Sequence, residues 1–167
     1  MDGNVQSVET MSESNQEERW FREAAREAKQ ARCTRARCGA VIVADGCIIG
    51  RGYNAPPQDD MSQVQCEAVY QKESRKPKSD RTCCIHAEWR AMLDALRNHA
   101  DKVSGSTLYF CRVDESGKML FSGDPYCTVC SRLALDIGIA FFVLWHENGI
   151  RVYDTQEYNA VSYRFHQ

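Results

Sequence analysis

Apolar residues recur at three- and four-residue spacing between positions 20 and 31: Trp20, Phe21, Ala24, Ala25, Ala28 and Ala31. That spacing is one face of an α-helix and predicts a stripe turned toward a core. Ser14 with Glu17 three residues on has the form of a capping box that would start this helix. Residues 1–14 are polar and are expected to form a flexible segment. The pattern then changes period. Residues 39–44 and 47–53 read as two strands, and Asp45-Gly46 between them is a hairpin signal because both positions tolerate positive φ. From 54 to 82 no period survives. That stretch holds Pro56-Pro57, Asp59-Asp60, a basic cluster (Lys72, Arg75, Lys76, Lys78, Arg81) and room for a short helix at 65–72. A loop this long in a compact domain is functional or disordered.

Periodicity resumes at His86, which opens a helix to about His99 with Met92, Leu93 and Leu96 expected to be buried. Residues 106–111 form a β-branched and aromatic strand. A turn at 114–117 leads into 119–121, giving a hairpin that would protrude from the sheet. A second helix opens at Cys127, carries Leu133, Leu135 and Ile137, and stops at Gly138. The continuous apolar run 140–145 suits a strand covered on both faces. Strand, helix, strand over 106–145 implies a right-handed crossover with parallel strands. Residues 150–153 read as a short edge strand. Asp154 with Glu157 then caps a terminal helix bearing Tyr158, Val161 and Phe165. The sum is an α/β fold: a three-layer α/β/α arrangement with a mixed sheet of about five strands. Residues 15–167 would form one domain, and no internal repeat is present.

Composition narrows the setting more than the activity. The chain has 167 residues, 43% hydrophobic and 26% charged, in the range of an ordinary globular protein. A net charge of −2 gives no global pull toward nucleic acid. No apolar stretch approaches membrane-span length, and a polar acidic segment follows Met1 where a signal peptide would be apolar. Nine cysteines without a secretory signal suit a reducing cytosol, so a cytoplasmic location is expected.

The chemistry concentrates in two runs about forty residues apart: Cys83-Cys84-Ile85-His86-Ala87-Glu88-Trp89 and Pro125-Tyr126-Cys127-Thr128-Val129-Cys130. They supply an imidazole, a carboxylate two residues later, and two thiols at x-x spacing. Those are the parts of a catalytic zinc site with three protein ligands and one open position. Cys127 and Cys130, three apart in the first turn of a helix, face the same way, and the unpaired N–H groups there favour thiolate. His86 and Glu88 are about 200° apart around a helix and cannot share a face in mid-helix. They can serve one pocket only at a helix start, which predicts two helix N-termini converging on one Zn2+ ion. Glu88 is not needed as a ligand and is free to carry protons. Taken alone, Cys127-x-x-Cys130 also fits a structural zinc knuckle or a redox pair. A structural site needs a fourth protein ligand, which Cys83, Cys84 or Cys111 could supply, but that leaves Glu88 unexplained.

His86-Ala87-Glu88 with Pro125 and Cys127-x-x-Cys130 resembles the cytidine/deoxycytidylate deaminase superfamily. Ala31–Arg35, residues 39–43, Gly52-Tyr53-Asn54 and Arg81-Thr82 look like its deoxycytidylate branch, so the resemblance covers roughly residues 20 to 150. It implies a cytidine deaminase-like fold and hydrolytic deamination of an amino-bearing pyrimidine nucleotide or nucleoside. It also implies zinc on His86, Cys127 and Cys130, proton transfer by Glu88, and a homo-oligomer. The backbone N–H of Ala87 would meet the base carbonyl and Asn54 the sugar hydroxyl. Tyr126, standing where the family usually has Pro before the first Cys, would line the pocket. Arg81, from the basic cluster, would meet a phosphate. A second, structural zinc, found in some deoxycytidylate deaminases, would draw on Cys66 and Cys83, although no matched spacing supports it. Two other readings stay open: a deaminase acting on a base in RNA or single-stranded DNA, and a non-catalytic zinc-stabilised interaction module.

Overall fold

In the computed structural model, residues 13–33, 35–65 and 82–165 are described. Among the described residues four α-helices and six strands follow one another: α1 (Glu13–Ala28), β1 (Arg37–Ala44), β2 (Cys47–Tyr53), α2 (Ala87–Asn98), β3 (Thr107–Val113), β4 (Met119–Leu120), α3 (Thr128–Asp136), β5 (Phe141–His146), β6 (Gly149–Asp154) and α4 (Thr155–Arg164). The sheet runs β2-β1-β3-β5-β6, with β4 paired to the far end of β3. β3 and β5 are parallel and every other pairing is antiparallel. This is the mixed α/β sheet expected from the pattern, with six strands once the two-residue β4 is counted. At the β1–β2 turn, Asp45 and Gly46 both have positive φ, 52° and 69°, as the Asp-Gly signal required.

Alternation along the strands sorts side chains into two cores. Val41 and Val43 of β1, Tyr109, Cys111 and Val113 of β3, and Val143 of β5 face Trp20, Phe21, Ala24 and Ala28 of α1. Ala40, Ile42, Leu108, Phe142 and Leu144 face the other way, against Ala87, Ala91, Met92 and Ala95 of α2, Ala134 of α3 and Tyr158 of α4. Both Phe142 and Val143 are fully buried, so β5 is covered on both faces as its continuous apolar run implied.

The approach of α2 to the sheet is set by missing side chains. A Cβ on Gly52 would fall 2.2 Å from the Ala87 carbonyl oxygen, and one on Gly50 would fall 2.3 Å from that of Ala91. With Ala87, Ala91 and Ala95 on the facing side, helix and strand meet almost backbone to backbone. This explains one departure from the sequence pattern. Leu93 and Leu96, expected in the core, are 43% and 37% exposed, because the face that meets the β2 glycines is the alanine row 87, 91 and 95, which turns 87, 88, 91, 92 and 95 inward and leaves 93 and 96 outside. Helix α1 is assigned from Glu13, one residue before the expected cap Ser14. Phe165, at the C-cap of α4, is 48% exposed. The helix expected at 65–72 lies outside the described residues, as do the remaining residues 1–12.

If the α2–β2 contact depends on those glycines, Gly52→Ala should lose about 1–3 kcal/mol of stability in urea unfolding, since the added methyl meets helix backbone. Gly123→Ala, whose Cβ would meet nothing within 4 Å, is the control and should stay within about 0.5 kcal/mol.

Candidate metal centre and active site

His86 and Cys127 hold equivalent places on different helices. His86 is the N-cap of α2, with φ −66° and ψ 150°, and Cys127 is the N-cap of α3, with φ −88° and ψ 97°. Cys127 Sγ accepts the backbone N–H of Cys130 at 3.3 Å, the task an Asp or Ser oxygen usually performs at a helix start. Two helix N-termini thus converge, bringing positive dipole ends and unpaired N–H groups to one place.

Three donor atoms meet there. His86 Nδ1 lies 3.1 Å from Cys130 Sγ and 3.4 Å from Cys127 Sγ, and the two sulfurs are 2.8 Å apart. The corners of this triangle lie about 1.8 Å from a common centre, within zinc's usual ~2.0–2.3 Å bonds to nitrogen and sulfur, so a single ion would be in reach of all three. One imidazole and two thiolates also match the ligand preference of Zn2+, and the cluster fits that ion. Among the described residues, this is the one group of three or more His, Cys, Asp or Glu side chains close enough to share a metal.

The electrostatics are those of a preformed ligand set. The Cys127 thiol is pulled down to about 4, first by its hydrogen bond with Cys130 and then by His86. His86 is pushed up to about 9 by its hydrogen bond with Cys127, with burial opposing and the charge of Glu88 adding. Cys130 moves the other way, raised by burial and by its contact with Cys127. Glu88 is 6% exposed, hydrogen-bonded with Cys130 and raised by burial and by the Cys127 charge. The carboxylate therefore stands at the cluster while remaining outside the donor triangle.

A family model described as the cytidine and deoxycytidylate deaminase zinc-binding region matches residues 14–145. The chain belongs to this family. Two solved structures of similar fold are the dCMP deaminase from the cyanophage S-TIM5 in apo form and the cytidine deaminase from Burkholderia pseudomallei. The first is 17% identical, over 75% of this chain and 79% of that one, with a TM-score of 0.50. The second is 18% identical, over 84% and 94%, with a TM-score of 0.52. No curated protein matches significantly. At these identities the likeness to the solved structures is one of fold, and it agrees with the deaminase-like α/β arrangement expected from the sequence.

The remaining residues that the family resemblance singled out are spread around the cluster. Ala87 is fully buried at the first position of α2, where its N–H has no carbonyl within the helix to meet. Asn54, at the end of β2, already has work: its Oδ1 accepts from Cys38 N–H at 2.8 Å and its Nδ2 donates to the Ala36 carbonyl at 2.7 Å. These bonds tie the start of β1 to the end of β2 and use one of the amide's two N–H groups. Tyr126, directly before Cys127, is 43% exposed and packs edge-on to Phe165 at 4.8 Å. Arg81, the rest of the basic cluster and Cys66 lie outside the described residues. Cys38 is half-buried and Cys111 buried, and both thiols are pushed up to about 12, chiefly by their removal from solvent. Among the described residues no helix is long and apolar enough to cross a membrane.

One neighbour of the cluster escaped the sequence reading. Tyr158, marked there only as a face of the terminal helix, is 4% exposed and stacks on Phe142 at 4.1 Å. The charges of Glu88, Cys130 and Cys127 add to burial in raising its hydroxyl, and a backbone hydrogen bond joins it to Tyr126. Helical spacing placed Tyr158 on the buried side of α4, but no local signal says that α4 folds back onto the start of α3.

These protonation states set a pH test of metal binding. At pH 7 the metal-free cluster holds a proton on His86, whose value of about 9 lies above the solution pH, and another on Cys130, while Cys127 is already thiolate. Zinc must displace both protons. Calorimetric titration of metal-free protein in buffers of different ionisation enthalpy should show release of about two protons per zinc at pH 7. Apparent affinity should strengthen as pH rises from 7 toward 9.

Proposed function

We propose that this chain is a zinc-dependent hydrolytic deaminase that converts an amino-bearing pyrimidine nucleotide or nucleoside to its uracil form with release of ammonia. Deoxycytidylate is the first substrate to test. The observation that carries the reading is the position of Glu88: a buried carboxylate, hydrogen-bonded to one member of the His86, Cys127, Cys130 triangle yet not needed within it. A structural zinc site has no use for such a group. Membership of the deaminase family supports the same reading, as does the naming of two neighbours of similar fold as dCMP and cytidine deaminases.

Zinc, when bound, would supply the positive charge that makes a water nucleophilic at neutral pH. The remaining steps belong to the chain's own groups. A Glu88 carboxylate oxygen takes one proton of the attacking water and passes it to the ring nitrogen beside the amine-bearing carbon; it then takes the second proton, from the newly added hydroxyl, and gives it to the departing amine as the C–N bond breaks and the ring carbonyl forms. Burial raises its proton affinity, which suits a group that must both accept and return a proton. The Ala87 N–H, in the first turn of α2 with no carbonyl within the helix to meet, can hold the ring carbonyl and so fix the ring's orientation.

The test is ammonia release from a panel of cytosine and purine nucleotides and nucleosides, with oligonucleotides alongside. Activity on a free pyrimidine is expected; activity confined to oligonucleotides would move the substrate class to a base in a polymer. Glu88→Gln should retain zinc and lose about 10²–10⁴-fold in kcat. If the wild-type protein releases no ammonia from any substrate while holding zinc, the catalytic reading fails and a zinc-stabilised binding module takes its place.

A further inference from the structure

Arg90 lies two residues beyond Glu88 on α2 and reaches back across the end of β2. Its Nη2 donates to the Pro56 carbonyl at 2.7 Å, and its Nη1 lies 3.1 Å from Asp59 Oδ1. The guanidinium also sits over the Tyr53 ring, 5.1 Å from its centroid. Tyr53 closes the group by donating its hydroxyl to Asp59 Oδ2 at 2.8 Å. Three segments thus meet in one knot: the end of β2, the chain after it, and the helix that carries Glu88.

What the knot holds is a strained piece of backbone. Gln58 and Asp59 have φ of 56° and 60°, the left-handed region that side-chain-bearing residues rarely adopt. Such conformations persist only where surrounding contacts over-determine them, and they cluster at ligand clamps and active sites. Upstream of them, Ala55 and Pro56 are buried. Ala55 is also paired with Ile85 through two backbone hydrogen bonds, Ala55 N–H to Ile85 O at 3.3 Å and Ile85 N–H to Ala55 O at 2.8 Å. Ile85 immediately precedes His86. The stretch 54–59 is therefore joined at one end to the residue before a metal-centre side chain and at the other to the helix of Glu88.

A simple surface ion pair accounts poorly for this arrangement. Arg90's side chain is only 20% exposed, and the 54–59 turn needs three different contacts from one group: a carbonyl, a carboxylate and a ring face. A planar guanidinium serves all three at once, and an ammonium does not. Arg90 reaches none of the three donor atoms of the metal centre in these contacts, so its effect must pass through the stretch it holds.

We infer that Arg90 is a positioning residue, which fixes the 54–59 wall against the first turn of α2 and thereby sets how tightly the site grips its substrate. The kinetic consequence rests on the deaminase reading above; the clamp itself does not. Loosening the wall should raise KM, because the substrate must then order it, while zinc and Glu88 stay in place and kcat changes little.

The experiment compares Arg90→Lys and Tyr53→Phe with the wild-type protein, all loaded with zinc. Hydrogen exchange of backbone amides in 54–60 is expected to accelerate about tenfold or more in Arg90→Lys, and less in Tyr53→Phe, with α1 and β3 amides unchanged. With deoxycytidylate as substrate, KM should rise about tenfold and kcat should stay within about threefold. Unchanged exchange in 54–60 overturns the clamp, and so does a fall in kcat at constant KM. If the wild type proves inactive on every nucleotide, the deaminase reading fails alone and the exchange comparison still decides the clamp. Should Arg90→Lys fail to fold, Tyr53→Phe, which removes a single hydroxyl, carries the same comparison.

Discussion

The near contact between the backbones of β2 and α2 governs the rest of the site. Gly50 and Gly52 leave no Cβ between strand and helix, and the alanines opposite keep the gap closed. This brings the first turn of α2 down to the end of β2, where Ala55 and Ile85 exchange backbone hydrogen bonds. A larger side chain at either glycine would lift the helix start, and with it His86, Ala87 and Glu88 together. Chemistry that needs a proton carrier within hydrogen-bond reach tolerates displacements well below ~1 Å. Two absent side chains in a strand therefore decide whether a carboxylate about forty residues away in sequence from its thiol partner can work with it.

Legibility from the sequence followed how locally each feature is encoded. The donor triangle could be read because its residues lie in two short runs, and because His86 and Glu88 can cooperate only at a helix start. That argument needs helical geometry alone, and the N-cap positions of His86 and Cys127 agree with it. Strands β1, β2, β5 and β6 were legible through alternation, turn chemistry and a continuous apolar run. The burial of Leu93 and Leu96 was misjudged for a different reason: helical period says which residues share a face, while the partner surface says which face is buried. Here that partner is a pair of glycines forty residues earlier. Tyr158 and Arg90 stayed hidden because their roles arise where three segments meet, and no window of sequence contains all three.

Charge explains why four polar groups can share so small a volume. Two thiolates and a neutral imidazole cancel the charge of a divalent ion, so a filled site is formally neutral. The metal then has no strong electrostatic call on Glu88, which is left with a charge that burial makes expensive. A carboxylate in that position takes up a proton readily and can give it back. The two helix starts favour the thiolates from outside the ligand set, so ligand ionisation does not have to draw on Glu88. A fourth protein ligand with negative charge would upset this balance; His86 and Cys127 are half-buried, whereas Cys130 is buried.

The same arrangement separates the reaction from the choice of substrate. His86, Glu88, Cys127 and Cys130 sit at helix starts, where backbone geometry fixes them. The chain on either side is irregular: 54–59 lies before α2 in space through the Ala55–Ile85 pair, and 121–126 leads directly into Cys127. The second stretch is also anchored independently of the cluster. Ser122 N–H donates to the Trp145 carbonyl at 2.8 Å, and His146 lies within hydrogen-bond distance of both the Ser122 carbonyl and the Tyr153 hydroxyl. Each wall is thus tied to the sheet or to α2 by contacts that involve no metal ligand. Sequence change in either stretch can therefore be absorbed without disturbing the donor triangle. A family signature confined to the helix starts therefore identifies the reaction far more sharply than the molecule it acts on.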